Sequence, residues 1–227
     1  SEGSNNVKFW CTDTTGNMNQ TALRYFTIDT ITPIVSITTP ASNGLWYLTA
    51  PTITASCTDT NFANMTINHT TYTATKTSTP ATWTNITTIP QNSNSFRINC
   101  TDTAGNTGTA DRQFNYDDVR PTSINYVSPT ELNNFYKSQN WYYVNITFTE
   151  TNPDTCLLNV GGSNYTMTRS GTNCYVNRTG QSESSYTFKV FVNDSAGNIN
   201  ESVLRTITLD MTVPMSITGL LNQSFGD

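Results

Sequence analysis

Charge is the first thing this sequence lacks. Only 12% of its 227 residues are charged, about half the usual share of about 25% in soluble proteins. The net charge of -5 leaves no basic face, so a nucleic-acid partner is not expected. Histidine is scarce as well: His69 is the single one. A Ser/His/Asp or Cys/His centre would have to be built on it, yet it lies beside Thr70 and Thr71 in a strand-like run and is expected to be a surface strand residue. No G-x-S-x-G, H-E-x-x-H or glycine-rich phosphate loop occurs, and the carboxylates fall mostly at turns rather than in pairs suited to acid/base work. The chain is therefore expected not to be an enzyme. Long apolar runs are missing too, so no membrane contact is expected in this segment. Nothing signal-like stands at Ser1, which suggests a mature or excised piece.

Hydroxyl and amide side chains fill the gap left by charge: 44 Thr, 20 Ser and 28 Asn. Apolar residues still recur at strand spacing, so this is not a disordered composition. One stretch occurs three times: Cys11-Thr-Asp-Thr-Thr-Gly-Asn17, Cys100-Thr-Asp-Thr-Ala-Gly-Asn106 and Val192-Asn-Asp-Ser-Ala-Gly-Asn198. Each copy follows an alternating apolar run. Each precedes a second strand-like run that ends in an Asp with a Pro four residues later: Asp29/Pro33, Asp117/Pro121 and Asp210/Pro214. The copies lie 89 and 92 residues apart, the size of one small domain, so the chain reads as a tandem array. Within each copy the Asp and Gly suit a hairpin turn.

The expected fold class is all-β, as tandem immunoglobulin-like sandwiches. Residues 31–118 hold seven strand-like runs, at 34–39, 51–58, 64–68, 71–76, 82–88, 95–102 and 109–116. Residues 119–210 hold seven more, at 123–128, 141–150, 155–160, 164–168, 173–177, 185–194 and 202–209. Seven short strands in about 90 residues fit that sandwich. Residues 1–30 carry only two runs, near 6–12 and 21–28, and read as the last two strands of a further domain. Residues 211–227 read as the first strand of another, Pro214 to Thr218. Two explanations of these ends stay open. Either the chain is a window on a longer array, or neighbouring copies complete the end domains and give a filament.

Five cysteines make an odd count, and the repeat accounts for it. Alignment sets Cys57 against Phe148 and Cys100 against Val192. Both positions are Cys in one repeat and apolar in the other, as when a buried disulfide is exchanged for an apolar pair. We expect Cys57–Cys100 and Cys156–Cys174 bridges, with the partner of Cys11 outside these residues. Free buried thiols are the alternative. Paired thiols imply an extracellular setting.

Asn-x-Ser/Thr acceptors occur at Asn19, Asn64, Asn68, Asn85, Asn99, Asn145, Asn164, Asn177, Asn193, Asn200 and Asn222. Composition alone would produce nearly as many, but a weakly charged surface needs solvation, and several are expected to be glycosylated.

The strand, Asp-x-Ala-Gly-Asn, strand, Asp-x-x-x-Pro pattern resembles the Ig-like repeats of bacterial and archaeal surface proteins, including large adhesins and cell-envelope proteins. The stretches Cys156-Leu-Leu-Asn-Val-Gly-Gly-Ser-Asn-Tyr-Thr-Met-Thr and Asn173-Cys-Tyr-Val-Asn-Arg-Thr-Gly resemble repeats of long archaeal surface proteins. The third strand carries no Trp in either full repeat, unlike antibody domains. The resemblance implies a non-catalytic rod or spacer of an adhesin, S-layer or surface filament, with other copies or domains of the same protein as partners and cell-surface glycans as candidate ligands. It also implies calcium at domain junctions, for which Asp29, Asp117, Asp118 and Asp210 are candidates; the alternative is that each loop Asp caps its own turn. A second function remains: a glycan-binding accessory module of a secreted enzyme, using Trp46-Tyr47 or Trp141-Tyr142-Tyr143 as a stacking platform.

Overall fold

The computed structural model describes residues 2–83 and 89–214. The expected strand at Pro214–Thr218 and the acceptors Asn85 and Asn222 lie wholly or largely outside them. The described residues contain strands and no helix, as expected from the sequence. They fall into two compact units, residues 1–118 and 119–227.

The first unit contains β1 (Gly3–Val7), β2 (Trp10–Thr12), β3 (Met18–Gln20), β4 (Arg24–Ile28), β5 (Ile34–Thr39), β6 (Leu45–Tyr47), β7 (Ile53–Thr58), β8 (Phe62–His69), β9 (Tyr72–Lys76), β10 (Ala81–Trp83), β11 (Asn92–Asp102) and β12 (Thr107–Tyr116). β1 pairs with β4 and β2 with β3, together forming one long hairpin. The remaining strands make a sandwich of a three-stranded sheet, β10-β7-β5, and a five-stranded sheet, β6-β12-β11-β8-β9. Alternation decides which side chains meet. Ile53, Ala55, Cys57 and Trp83 face inward from one sheet, and Met65, Ile67, Ile98, Cys100 and Phe114 from the other. Arg97 and Asp111 point outward from β11 and β12 and join as an exposed ion pair, with Nε to Oδ1 at 2.7 Å.

The second unit repeats the plan with β13 (Thr122–Tyr126), β14 (Phe135–Lys137), β15 (Tyr142–Thr149), β16 (Pro153–Val160), β17 (Ser163–Thr166), β18 (Thr168–Ser170), β19 (Asn173–Arg178), β20 (Ser184–Asp194), β21 (Ile199–Glu201) and β22 (Arg205–Leu209). Its sheets run β13-β15-β19-β18 and β14-β22-β20-β16-β17, with β21 beside β20. Short strands also occur outside the expected runs, at β3, β6, β14 and β21. β6 and β14 each pair in parallel with the last strand of their sandwich; three residues in parallel pairing leave no local hairpin signature in the sequence.

Both units tie their two sheets together covalently, at different places. Cys57–Cys100 joins β7 to β11 across 43 residues, and Cys156–Cys174 joins β16 to β19 across 18 residues. In the second unit, Phe148 and Val192 hold the positions of Cys57 and Cys100 and are buried. His69 departs from expectation: it continues the inward row Met65, Ile67, His69 and is only 9% exposed. Its Nδ1 meets the Thr71 hydroxyl at 3.0 Å and its Nε2 meets Asn94 Oδ1 at 3.2 Å. The neighbouring threonines concealed the strand's alternation.

A closed loop restricts the unfolded chain more as it lengthens. Replacing Cys57 and Cys100 with Ala is expected to cost about 4 kcal/mol, and replacing Cys156 and Cys174 about 3 kcal/mol. Urea unfolding of the two double variants measures both losses, and an unchanged midpoint for the first contradicts the expectation.

Candidate functional site

The thrice-repeated stretch forms the same turn each time. At the end of β11, Asp102 Oδ1 accepts the backbone N–H groups of Ala104 and Asn106, each at 2.9 Å, and Oδ2 accepts Asn106 Nδ2 at 2.9 Å. Asp13 receives Thr15 N and Asn17 N at 2.9 Å and Asn17 Nδ2 at 2.7 Å. Asp194 receives Ala196 N and Asn198 N at 2.9 Å and Asn198 Nδ2 at 2.7 Å. Gly105 adopts φ 94°, the left-handed region that closes the turn. Burial pushes the Asp102 carboxyl up, but the Asn106 side chain and the amides of Asn106, Gly105 and Ala104 outweigh it and hold the group below its ordinary value.

The turn also holds the connection that precedes the sandwich. Asn106 Nδ2 donates to the backbone oxygen of Asp29 at 2.9 Å. Asn61 Nδ2 donates to Asp29 Oδ2 at 2.7 Å, and Thr103 N donates to the backbone oxygen of Asn61 at 2.8 Å. Two residues into β12, Gly108 lies against the linker so closely that a Cβ there would meet the Pro33 oxygen at 1.8 Å.

These contacts gather Asp29, Asp59 and Asp102. Each offers a carboxylate oxygen within 4.8 Å of the others, and Asp102 is buried. Asp29 and Asp59 also line a cleft of about 200 Å³ with Glu2, Gly3, Thr27 and Thr60. The described ion pairs lie elsewhere. Carboxylates this close repel one another when ionised, and their oxygens are donors of the kind a hard cation takes.

The expected calcium candidates are treated unequally. Asp29 belongs to the cluster. Asp118 does not join it; its carboxylate accepts Tyr116 OH at 2.8 Å and Gln91 Nε2 at 2.6 Å. Asp210 Oδ1 accepts Thr212 N at 3.2 Å. Asp117 is buried, and its N–H donates to the Tyr47 backbone oxygen at 3.1 Å. Asp59 was missed. Its signal was an acid at the same aligned position in both full repeats, Asp59 and Glu150. By sequence alone, Asp117, Glu150 and Asp194 are the counterparts of Asp29, Asp59 and Asp102.

Of the aromatic stretches, Tyr47 and Tyr142 pack into the cores, while Tyr143 faces outward from β15. Tyr47 packs edge-on against Phe114 at 6.1 Å, and Tyr142 stacks on Phe188 at 5.7 Å. Tyr143 stacks on Tyr175. Trp141 stays partly exposed, with Lys137 Nζ 3.5 Å from its ring centre, and that ammonium also meets Glu131 at 2.6 Å. Phe135, Tyr136, Gln139 and Trp141 border a concavity of about 520 Å³.

Cys11 is an exposed free thiol. Phe9 and Phe26 are 67% and 48% exposed, whereas Ile98 and Phe114, which align with them, are 0% and 1% exposed. The face that is covered in the sandwich is therefore open in the hairpin β1–β4.

Residues 37–118 match the family model described as Bacterial Ig-like domain. No curated protein matches the chain. Among solved structures, it is similar to fibronectin(III)-like modules of Clostridium thermocellum CbhA, at 13% identity over 78% of this chain and 94% of that one, with a TM-score of 0.47. It is similar to an I-band fragment of titin at 11% identity, over 80% and 66% of the two chains, with a TM-score of 0.48. A Ca2+-stabilized, ice-binding adhesin of an Antarctic bacterium is 20% identical over 91% of this chain and 56% of its own, with a TM-score of 0.38.

Asp102 links the turn to acid stability. Its depressed value means that its contribution is present above the unfolded carboxylate value of about 3.9 and is lost as pH falls through the lower folded value. Asp102→Asn removes the ionised acceptor. Its melting temperature is expected to fall below that of the parent at neutral pH, and the gap to narrow on acidification; a pH series of thermal melts checks this.

Proposed function

We propose that this chain is a structural segment of an extended extracellular surface protein of a prokaryote, of the archaeal kind named by the sequence resemblance. It acts as a rod or spacer in cell-surface assembly or adhesion. Ig-like domains of this kind occur in surface proteins and adhesins. The observation that carries the proposal is recurrence: one capped hairpin, made three times, each followed in sequence by the same Asp-x-x-x-Pro connection. A module that repeats its own junction is suited to reach, because each added copy extends the chain without new design. Two inter-sheet disulfides suit an oxidising, extracellular setting. The open face of the hairpin β1–β4 fits the same reading. Its aligned residues in the sandwich lie under a cysteine-bearing sheet, and a sheet of that kind from another part of the same surface protein is its proposed cover. Electron microscopy of the native material tests the proposal. Extended rods or filaments are expected, and compact isolated particles would overturn it.

We further propose that Asp29, Asp59 and Asp102 bind calcium and thereby stiffen the segment around Asp29. Three carboxylates supply part of the six to eight oxygens calcium takes, with carbonyls and water supplying the rest. A ligand that binds only the folded state at about 100 times its Kd stabilises by about 2.7 kcal/mol. Added calcium is therefore expected to raise the melting temperature by several degrees, and Asp59→Asn to abolish the rise. A melt unchanged by calcium and by chelator counts against the site and leaves the rod proposal standing.

The concavity bordered by Phe135, Tyr136 and Trp141 favours one alternative, glycan binding by an accessory module. Lys137 covers one face of Trp141, so stacking would fall mainly to Phe135 and Tyr136. Reproducible glycan-array binding lost in Tyr136→Ala is the expected outcome on that reading.

A further inference from the structure

The sequence offers eleven Asn-x-Ser/Thr acceptors, and nothing in their motifs separates them. The folded chain does. Nine lie in the described residues, and they divide by what the side-chain amide and its surroundings are already doing.

Three are built into the fold. Asn145 Nδ2 donates to the Ser128 backbone oxygen at 2.8 Å, and its Oδ1 is buried. Asn200 Nδ2 donates to the Pro121 backbone oxygen at 2.8 Å. The hydroxyl of that same acceptor, Ser202, is 5% exposed; it accepts Val190 N and donates to the Val203 oxygen. Asn193 Nδ2 meets Asp154 Oδ2 at 3.3 Å, while its Oδ1 accepts Thr155 N at 3.1 Å. A sugar on any of these nitrogens would replace one of the two N–H hydrogens of an amide that is already held against a protein acceptor, and the first sugar would have to fit beside that acceptor.

Six are not so engaged. Asn19, Asn64, Asn68, Asn99, Asn164 and Asn177 show no hydrogen bond from Nδ2 among the described residues, and all lie on exposed or half-buried strand positions. Asn19 and Asn164 use only Oδ1, as acceptors from Gln20 N at 2.8 Å and Asn159 Nδ2 at 2.6 Å. Three of the six share one surface. Asn64 and Asn68 point outward from β8, opposite the inward Met65 and Ile67. Asn99 points outward from β11, between the inward Ile98 and Cys100. The register sets Asn99 against Thr66, midway between the other two, with Thr101 against Asn64 and Arg97 against Asn68. Such diagonal neighbours stand about 7–8 Å apart, so sugars there would form one coat over the outer face of that sheet.

We propose that Asn19, Asn64, Asn68, Asn99, Asn164 and Asn177 are the N-glycan acceptors among the described residues and that Asn145, Asn193 and Asn200 are not. The donor class is a lipid-linked oligosaccharide activated by phosphate. Transfer forms a bond from Asn Nδ2 to the anomeric carbon of the first sugar and breaks that carbon's bond to the phosphate oxygen. The lipid phosphate departs with the electron pair, and the amide nitrogen gives up one proton to water. The retained N–H and carbonyl keep the side chain an amide, so an acceptor that uses only its Oδ1 loses nothing by modification. The coat supplies the hydration that 12% charge does not.

The test is tandem mass spectrometry of glycopeptides from the protein isolated from the cells that make it. The expected result is sugar mass on most of the six and on none of the three, with an intact mass above the bare 25.1 kDa for these residues. Sugar on half or fewer of the six, or on any of the three, overturns the assignment. Neither result depends on the rod or the calcium site.

Discussion

A carboxylate closing its own turn is the interaction on which the rest of each repeat depends. Asp102 satisfies two backbone donors and one side-chain donor that would otherwise have no partner at the tip of a tight hairpin. Charge-assisted bonds of this kind are roughly twice as strong as neutral ones. The turn then fixes the register of β11 against β12, and register decides which face of each strand is buried. Slipping β11 by one residue against β12 would turn Ile98 and Cys100 out to solvent and bring Arg97 and Asn99 toward the core. Because Asn106 also reaches the Asp29 backbone, the same turn positions the linker, and Gly108 leaves room for Pro33 to lie against β12.

Much of this was legible in the sequence, for a reason specific to sandwiches. Long central strands such as β11 and β15 alternate cleanly because one face meets the core and the other meets water. What could not be read was pairing without a local signature. β6 and β14 are three residues each and pair with strands far along the chain. His69 was misjudged because its polarity outweighed its position. The strand has it facing inward, where Thr71 and Asn94 satisfy both ring nitrogens. Asp59 was overlooked for the opposite reason: it looks like an ordinary end-of-strand turn residue, and only the fold brings it to Asp29 and Asp102.

The two sandwiches also show that one packing problem has two solutions. Where the first unit crosses its core with Cys57–Cys100, the second fills the same place with Phe148 and Val192 and moves its cross-link to Cys156–Cys174. The bridge therefore does not specify the fold. Both positions ask for an apolar group, which a half-cystine supplies in one unit and Phe148 and Val192 supply in the other. The cross-link acts chiefly on the unfolded chain, and that effect survives relocation because it depends on loop length and on joining the two sheets.

Capping and metal binding are not competing roles for the loop Asp. A carboxylate oxygen has two lone pairs, and the N–H bonds to Asp102 consume only part of what its oxygens offer. Those bonds hold the group ionised, oriented and largely out of water before any cation arrives. A flexible surface Asp would lose side-chain entropy on binding an ion, whereas a capped one has already lost it in folding the turn. The same logic separates Asp102 from Asp118, whose carboxylate is engaged by Tyr116 and Gln91 with no second acid beside it among the described clusters. What distinguishes the proposed site is therefore the convergence of a pre-ordered turn acid with the linker acid Asp29 and the strand-end acid Asp59. That convergence is a by-product of the turn's grip on the chain that enters the domain.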